Sequence, residues 1–361
     1  MQASGDAGRR PHVVHVVESL SSGVATALED YVRRTPGCTH TVLAWRRSEA
    51  QTGDRLDELA SEVLLMPPGR LAQARFVRRH VKRLHPDVVH AHSSYAGLYV
   101  RAFTTQPSRS LVYTPHGYSF ERRDIHISLR GLFWLVEAFL SFRGATVAAV
   151  APREAQLAAR LPGRQPITYL PHAVGVAQPV APPPSPDEDD TPPRLRLAAL
   201  GRITPQKDPS FFRRAVLASR ASALPVKWIW IGGGDPSAER ALRDLGVQVT
   251  GWVARPQALG WLASADVYVH TAAWEGWPVS ILEAAALGLP FVARRSPALR
   301  MLDPALLFDT PQELVELAWS LLDEQRRADL RGRSRHLLEQ HRPEAQQAAL
   351  ERVYGVAPHA R

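Results

Sequence analysis

Cysteine is nearly absent. Cys38 stands alone among 361 residues, so no internal disulfide can form, which fits a reducing compartment. Long apolar runs are missing too. No stretch of ~18 uncharged apolar residues occurs, and the nearest candidate, residues 132–150, is interrupted by Glu137 and Arg143. A membrane-spanning helix is therefore not expected. Residues 1–10 are polar and lack the apolar core of a secretory signal, so a cytoplasmic location is expected. The sequence also lacks a P-loop, zinc-ligand spacing and a nucleophile elbow, which removes the enzyme classes built on them.

What is present is a core and a surplus of positive charge. Hydrophobic residues make up 45% of the chain, enough for two ordinary domains at this length. Lys and Arg number 44 against 35 Asp and Glu, a formal charge of +9. That surplus favours an anionic partner, although an Arg-rich composition explains part of it. Aromatic and basic residues do not interleave and no groove-reading helix stands out, so nucleic acid is not the expected partner. Residues 71–85 have a helical pattern with Val77, Val81 and Leu84 on one face and Arg75, Arg78, Arg79, Lys82 and Arg83 on another. A solvated surface helix is the plainer reading; docking on an anionic membrane is the sharper one.

The periodicity predicts an α/β protein. Short β-branched runs at 12–17, 41–45, 62–66, 87–92, 110–114, 146–150 and 167–170 read as buried parallel strands. The first is followed by a loop over 18–23 containing Gly23 and a helix over 24–34, the opening of a doubly wound domain. An apolar helix over 128–142 reads as core or interdomain packing, with membrane insertion the less favoured alternative. Residues 177–193 are Pro-rich and contain Asp187, Glu188, Asp189 and Asp190. They read as a linker, and the acidic run as solvated rather than metal-binding. The α/β pattern then restarts with strands at 195–200, 226–231, 247–250, 266–270 and 291–294, and a loop over 251–253 follows the strand at 247–250. The expected division is a first domain over 1–178, a linker over 179–193, a second domain over 194–342, and a final segment over 343–361. Two doubly wound domains joined in this way imply a ligand cleft between them.

Four charged residues carry the chemistry. Arg202 and Lys207 share a loop after a strand, two cations that suit a diphosphate. Glu275 and Glu283 stand eight residues apart, the first in a loop after the strand at 266–270 and the second in the following helix. The plainer reading is that Ser280 caps this helix and Glu283 is solvated. Cations for phosphates and carboxylates for sugar hydroxyls together describe a nucleotide-sugar site. A dinucleotide cofactor would rest on Gly232, Gly233 and Gly234, but Ser237 stands where the third glycine of the fingerprint belongs. His116, followed by Gly117 in a loop after a strand, reads as functional, whereas His90 inside a strand reads as packing.

These residues resemble the retaining GT-B glycosyltransferases of family 4, of the type that builds capsular and exopolysaccharides. Glu275 and Glu283 match that family's paired glutamates, and Gly201, Arg202 and Lys207 match its phosphate loop. Residues 113–117 and 87–92 resemble stretches of its first domain. The first loop departs, with Ser22 before Gly23 where two glycines are common. The resemblance implies two Rossmann-like domains facing a central cleft, with a last helix over 343–354 that crosses back to the first. It implies Arg202, Lys207 and Gly23 on the donor diphosphate, and Glu275, Gly276, Trp277 and Pro278 on the donor sugar. It also implies Glu283 on the ribose, and His116 with Glu275 at the reacting sugar. Tyr95, Gly97 and Tyr118 would meet a glycan or lipid-linked acceptor. No metal or other cofactor is implied, the UDP-linked sugar being a substrate. The expected role is extension of a cell-surface glycan on the cytoplasmic membrane face; the alternative is a catalytically silent nucleotide-sugar-binding partner subunit.

Overall fold

The computed structural model describes residues 9–20, 22–46, 54–174 and 195–356. The Pro-rich stretch 177–193 with its acidic run lies outside them. The chain divides into two compact units. The first holds the described residues up to Phe120, then Ile127–Ala173, then the described residues from Pro343; the second holds Glu121–His126 and the described residues from Val174 to Arg342.

The first unit is built on β1 (His12–Leu20), α1 (Ser22–Arg34), β2 (Thr39–Arg46), α2 (Asp54–Leu59), β3 (Glu62–Leu65), α3 (Arg70–Leu84), β4 (Val88–His92), α4 (Ser94–Phe103), β5 (Leu111–Thr114), α5 (Ile127–Ser141), β6 (Thr146–Ala149), α6 (Pro152–Ala159) and β7 (Ile167–Tyr169). Every pairing in its sheet is parallel, in the order β3-β2-β1-β4-β5-β6-β7. Helices cover a parallel sheet on both faces, which is why its strands read as nearly unbroken apolar runs. Val13, Val14, Val16 and Val17 of β1 are at most 1% exposed. Gly23 is not in a loop: β1 continues to Leu20, paired with Arg46, and Gly23 sits in the first turn of α1. The β-branched run ended at Val17, but three further residues extend the strand.

The second unit comprises β8 (Leu195–Leu200), α7 (Pro209–Ala221), β9 (Val226–Ile231), α8 (Pro236–Arg243), β10 (Gln248–Val249), α9 (Arg255–Ala263), β11 (Val267–His270), α10 (Val279–Ala286), β12 (Phe291–Arg294), β13 (Leu307–Phe308), α11 (Pro311–Ser320) and α12 (Glu324–Gln340). Its sheet is again parallel, in the order β10-β9-β8-β11-β12-β13. Beyond β10, in the loop expected at 251–253, Gly251 adopts a positive φ and makes a single antiparallel bridge to Gly232. The last helix, α13 (Pro343–Tyr354), belongs to the first unit. Its Ala349, Leu350 and Tyr354 pack with Val13, Ala27 and Tyr31, and Gln346 donates to the Pro171 carbonyl at 2.9 Å.

One buried ion pair joins α4 to α5. Arg101 Nη2 donates to Glu137 Oε2 at 2.9 Å, and the Tyr113 hydroxyl donates to Glu137 Oε1 at 2.9 Å. The guanidinium lies 3.9 Å from the Tyr113 ring centroid. Burial of Arg101 opposes its charge, and the facing Glu137 more than restores it. Replacing Arg101 with Leu strands a carboxylate in the core and is expected to cost about 3–5 kcal/mol in chemical denaturation. The double variant Arg101→Leu with Glu137→Leu is expected to recover much of that loss; equal stability of Arg101→Leu and the wild type contradicts the pairing.

Candidate active site

In the second unit, β8 and β11 are neighbours, yet the chain reaches β9 on one side of β8 and β12 on the far side of β11. This is where the strand order reverses, and open parallel sheets bind ligands beyond the strand ends at such a point. Arg202 and Lys207 follow β8, and Glu275 follows β11. Two hydrogen bonds tie these loops: the Thr271 hydroxyl donates to the Lys207 carbonyl at 2.9 Å, and the Ala273 amide to the Gln206 carbonyl at 2.9 Å.

Lys207, Glu275 and Glu283 are brought to this edge as paired groups, and Arg202 follows just beyond the end of β8. Lys207 Nζ forms a short ion pair with Glu275 Oε1, and Gln206 Nε2 donates to Glu275 Oε2 at 2.9 Å. Lys207 is thus not an uncompensated cation. Glu283 Oε1 accepts from Arg255 Nε at 3.2 Å and lies 3.0 Å from Arg255 Nη2. Arg255 therefore orients the carboxylate through one oxygen, and among the described residues Oε2 is left to accept further bonds. Ser280 does not cap α10; its hydroxyl accepts from Tyr268 at 2.7 Å, and Pro278 occupies the cap position. Gly276, Trp277 and Pro278 are buried. The Trp277 ring stacks on His341, centroids 5.2 Å apart, so its side chain faces this unit's own interior. The correction is that any sugar contact at Trp277 comes from its backbone.

The glycine run is explained without a cofactor. A Cβ on Gly232 would lie 2.4 Å from the Gly201 carbonyl oxygen, and one on Gly234 would lie 2.3 Å from that of Ile203. The loops after β8 and β9 pack backbone to backbone, which only glycine permits.

In the first unit, His116 stands just beyond β5 in the left-handed region, φ 51°, a costly conformation for a side-chain-bearing residue. Glu154 holds this turn, accepting from the Gly117 amide at 2.5 Å and the Val150 amide at 2.9 Å. Behind His116 lies a row of buried imidazoles. His116 Nε2 is 3.2 Å from His92 Nδ1, His92 Nε2 is 3.1 Å from His15 Nδ1, and His15 Nε2 is 3.0 Å from His40 Nδ1. His90 is beside them, bonded to the Tyr354 hydroxyl at 2.9 Å and the Thr114 hydroxyl at 2.8 Å. Ligating nitrogens of His15, His90 and His92 all lie within 4.8 Å of one another, close enough for a cation. All six ring nitrogens of these three residues already have hydrogen-bond partners. Burial pushes the basicity of His15, His40, His90 and His92 down, and that of His116 to about 4, so each imidazole is neutral at pH 7.

Two of the three residues expected to meet an acceptor are corrected. Gly97 is buried, and a Cβ there would lie 2.5 Å from the Tyr113 ring. Tyr118 is 1% exposed and stacks on Phe120. Both pack the core. Tyr95 is half-buried, with the Arg70 guanidinium 3.5 Å from its ring centroid and Phe133 edge-on. Gln206, Arg255 and Glu154 were not anticipated. Each acts through a partner distant in sequence, and no local spacing marks them. The row His40, His15, His92 takes one residue from each of β2, β1 and β4, and no local spacing marks it either.

Two family models match the chain: "Glycosyl transferases group 1" over residues 194–324 and "Glycosyl transferase 4-like domain" over residues 22–173. A curated relative is the Escherichia coli UDP-Gal:alpha-D-GlcNAc-diphosphoundecaprenol alpha-1,3-galactosyltransferase, 25% identical over 59% of this chain and 58% of its own length. Among solved structures, Anabaena HepE in complex with UDP and glucose superposes with a TM-score of 0.74 at 18% identity, covering 96% of this chain and all of that one. Sucrose-phosphate synthase from Thermosynechococcus elongatus gives 0.75 at 15% identity, over 96% and 98%. Both solved structures establish the fold as GT-B.

Five histidines held neutral make the first unit acid-sensitive. Their folded basicity lies below the unfolded value of about 6.5, so below that pH the unfolded chain binds more protons. The stabilisation is full above pH ~6.5 and is lost as pH falls, by up to about 1.4 kcal/mol per histidine per pH unit. Urea denaturation at pH 7.5 and 5.5 is expected to show a loss of several kcal/mol, smaller in His90→Gln; a flat profile contradicts neutral burial.

Proposed function

The chain belongs to the group 1 glycosyl transferases, and we propose that within this family it moves a hexosyl or N-acetylhexosaminyl group from a UDP-linked donor to a lipid-linked or polysaccharide acceptor. Transfer retains the anomeric configuration and requires no metal. The observation that carries this reading is the convergence of Arg202, Lys207, Glu275 and Glu283 on one edge of one sheet, at its reversal of strand order. The UDP complex of HepE and the undecaprenol-linked substrate named for the Escherichia coli relative support the nucleotide and the acceptor class.

Lys207 exchanges Glu275 for the donor diphosphate and, with Arg202, stabilises it as it leaves. Gly23, in the first turn of α1, is assigned to the same diphosphate through a helix N-terminus. Glu275, released by Lys207 and still held by Gln206, accepts from hydroxyls of the sugar, with the backbone of Gly276, Trp277 and Pro278 alongside. Glu283, oriented by Arg255, accepts from the ribose hydroxyls through Oε2. His116 is assigned to the sugar being moved. The acceptor oxygen bonds to the anomeric carbon on the face from which the diphosphate departs. Its proton passes to the departing phosphate oxygen, and developing positive charge on the sugar is offset by that phosphate.

No described helix is long and apolar enough to cross a membrane. Peripheral docking on the cytoplasmic face of the membrane is part of the proposal. Arg75, Arg78, Arg79, Lys82 and Arg83 are all exposed on α3. On α5, Leu132, Leu135 and Phe139 are exposed, Phe139 by 76%. Each cation near an anionic surface contributes about 1 kcal/mol.

Sugar transfer from UDP-hexose to a polyprenyl-diphosphate-linked acceptor is expected to fall by at least about 100-fold in Lys207→Ala and Glu283→Ala, with unchanged thermal unfolding. Unaltered turnover in both removes the site assignment. Cosedimentation with anionic vesicles at low salt is expected, and is lost when the five α3 cations are replaced by Gln; indifference of the wild type to such vesicles removes the docking surface.

A further inference from the structure

The row of imidazoles behind His116 has a direction, and its far end sets that direction. The Thr35 hydroxyl donates its only hydrogen to the Tyr31 carbonyl, 2.7 Å away. Toward His40 it can only accept, and so can the Thr35 carbonyl. His40 Nε2 faces both, at 3.1 and 3.2 Å, and must therefore carry a hydrogen. A neutral imidazole has one N–H, so His40 Nδ1 is bare. His15 must then donate from Nε2 and is bare at Nδ1. His92 in turn donates from Nε2 to His15, and His116 donates from Nε2 to His92. Consecutive rings are tilted by only 23–27°, which keeps each N–H near its neighbour's lone pair.

We propose that His40, His15 and His92 act as a tautomer clamp, through which Thr35 compels His116 to present a bare Nδ1 as a hydrogen-bond acceptor for a ligand hydroxyl. Among the described residues His116 Nδ1 makes no hydrogen bond. The clamp crosses one face of the sheet from β2 through β1 and β4 to the turn after β5. Deep burial keeps every member neutral, so the single-N–H rule holds along the row. His40, His15 and His92 are positioning residues, two of them out of reach of any ligand at His116. The assignment of the ligand as a sugar rests on the function proposed above; the clamp itself does not.

Losing the anchor reverses the row. In His40→Leu the native direction leaves His15 Nε2–H buried without an acceptor, while the opposite direction leaves only a bare nitrogen there. Buried N–H groups are the costlier orphans, so the opposite direction is favoured and His116 Nδ1 acquires the hydrogen. His40→Gln preserves the native direction. Its amide nitrogen faces the two Thr35 acceptors, and its oxygen accepts from His15 as Nδ1 did.

Nitrogen-15 spectra of histidine-labelled protein read the tautomers directly. The wild type is expected to show His40, His15, His92 and His116 all protonated at Nε2 and bare at Nδ1. His40→Gln keeps His116 in that form, and His40→Leu converts it to the Nδ1–H form. Sugar-transfer kcat/KM is expected to drop about tenfold in His40→Leu and to return in His40→Gln, the loss of roughly one hydrogen bond. Nδ1–H at His116 in the wild type overturns the clamp, and needs no variant to fold. An unchanged His116 tautomer in His40→Leu, or a stoichiometric metal ion on His15, His90 and His92 in the purified wild type, also overturns it. Predicted tautomers in all three proteins with no sugar transfer by any of them uphold the clamp and remove the reaction assigned to the site.

Discussion

The reversal of strand order between β8 and β11 is the constraint on which the chemistry of the second unit depends. A parallel sheet buries both faces under helices, and its strand ends are the places where loops can diverge without breaking the core. At β8 and β11 the chain leaves in opposite directions, and the loops beyond them are free to face one another. Lys207 and Glu275 meet there, between loops tied by the Ala273 amide and the Thr271 hydroxyl, each donating to a backbone carbonyl of the facing loop. The ion pair satisfies two charges that would otherwise be partly buried alone. The neighbouring pair, Arg255 with Glu283, differs in kind. Both of its short contacts fall on one carboxylate oxygen, which fixes the other for a ligand.

The first unit solves a different problem. Its sheet carries His15, His40, His90 and His92 on a face that helices cover, where a charged imidazole would be costly and an unbonded one nearly as costly. Linking the rings to one another, and the ends of the network to Thr35, Thr114 and Tyr354, satisfies the buried nitrogens without charge. The returning helix α13 supplies Tyr354 and so completes the network from the far end of the chain. A neutral, satisfied row of this kind is rigid, and rigidity is what a turn held at a left-handed φ requires of its neighbours.

Most strands and helices were legible because parallel strands are short apolar β-branched runs and the covering helices have clear amphipathic spacing. The errors fall where local pattern and burial part company. Gly23 was read into a loop because the run of valines ended before the strand did. Leu307–Phe308 is too short for any periodicity to mark. Trp277 and Tyr118 stand next to motif residues in sequence, but their side chains turn into the core, and Gly97 is packed against the Tyr113 ring. Lys207, Glu275 and Glu283 were legible from spacing; the pairing of Lys207 with Glu275, and Arg255 as the partner of Glu283, were not, because a pairing across 68 or 28 residues leaves no local trace. The same holds for Glu154, whose carboxylate holds the turn at His116 from 37 residues away.

The central claim is that the edge beyond β8 and β11 receives a nucleoside diphosphate sugar by exchanging the Lys207–Glu275 pair for ligand contacts. A crystal structure with an unreacted UDP-hexose bound tests it most directly. The account predicts Lys207 Nζ on a phosphate oxygen, Glu275 on sugar hydroxyls, and Glu283 Oε2 on the ribose with Arg255 still on Oε1. A bound UDP-hexose that leaves the Lys207–Glu275 pair intact, or that lies away from Glu283, contradicts it.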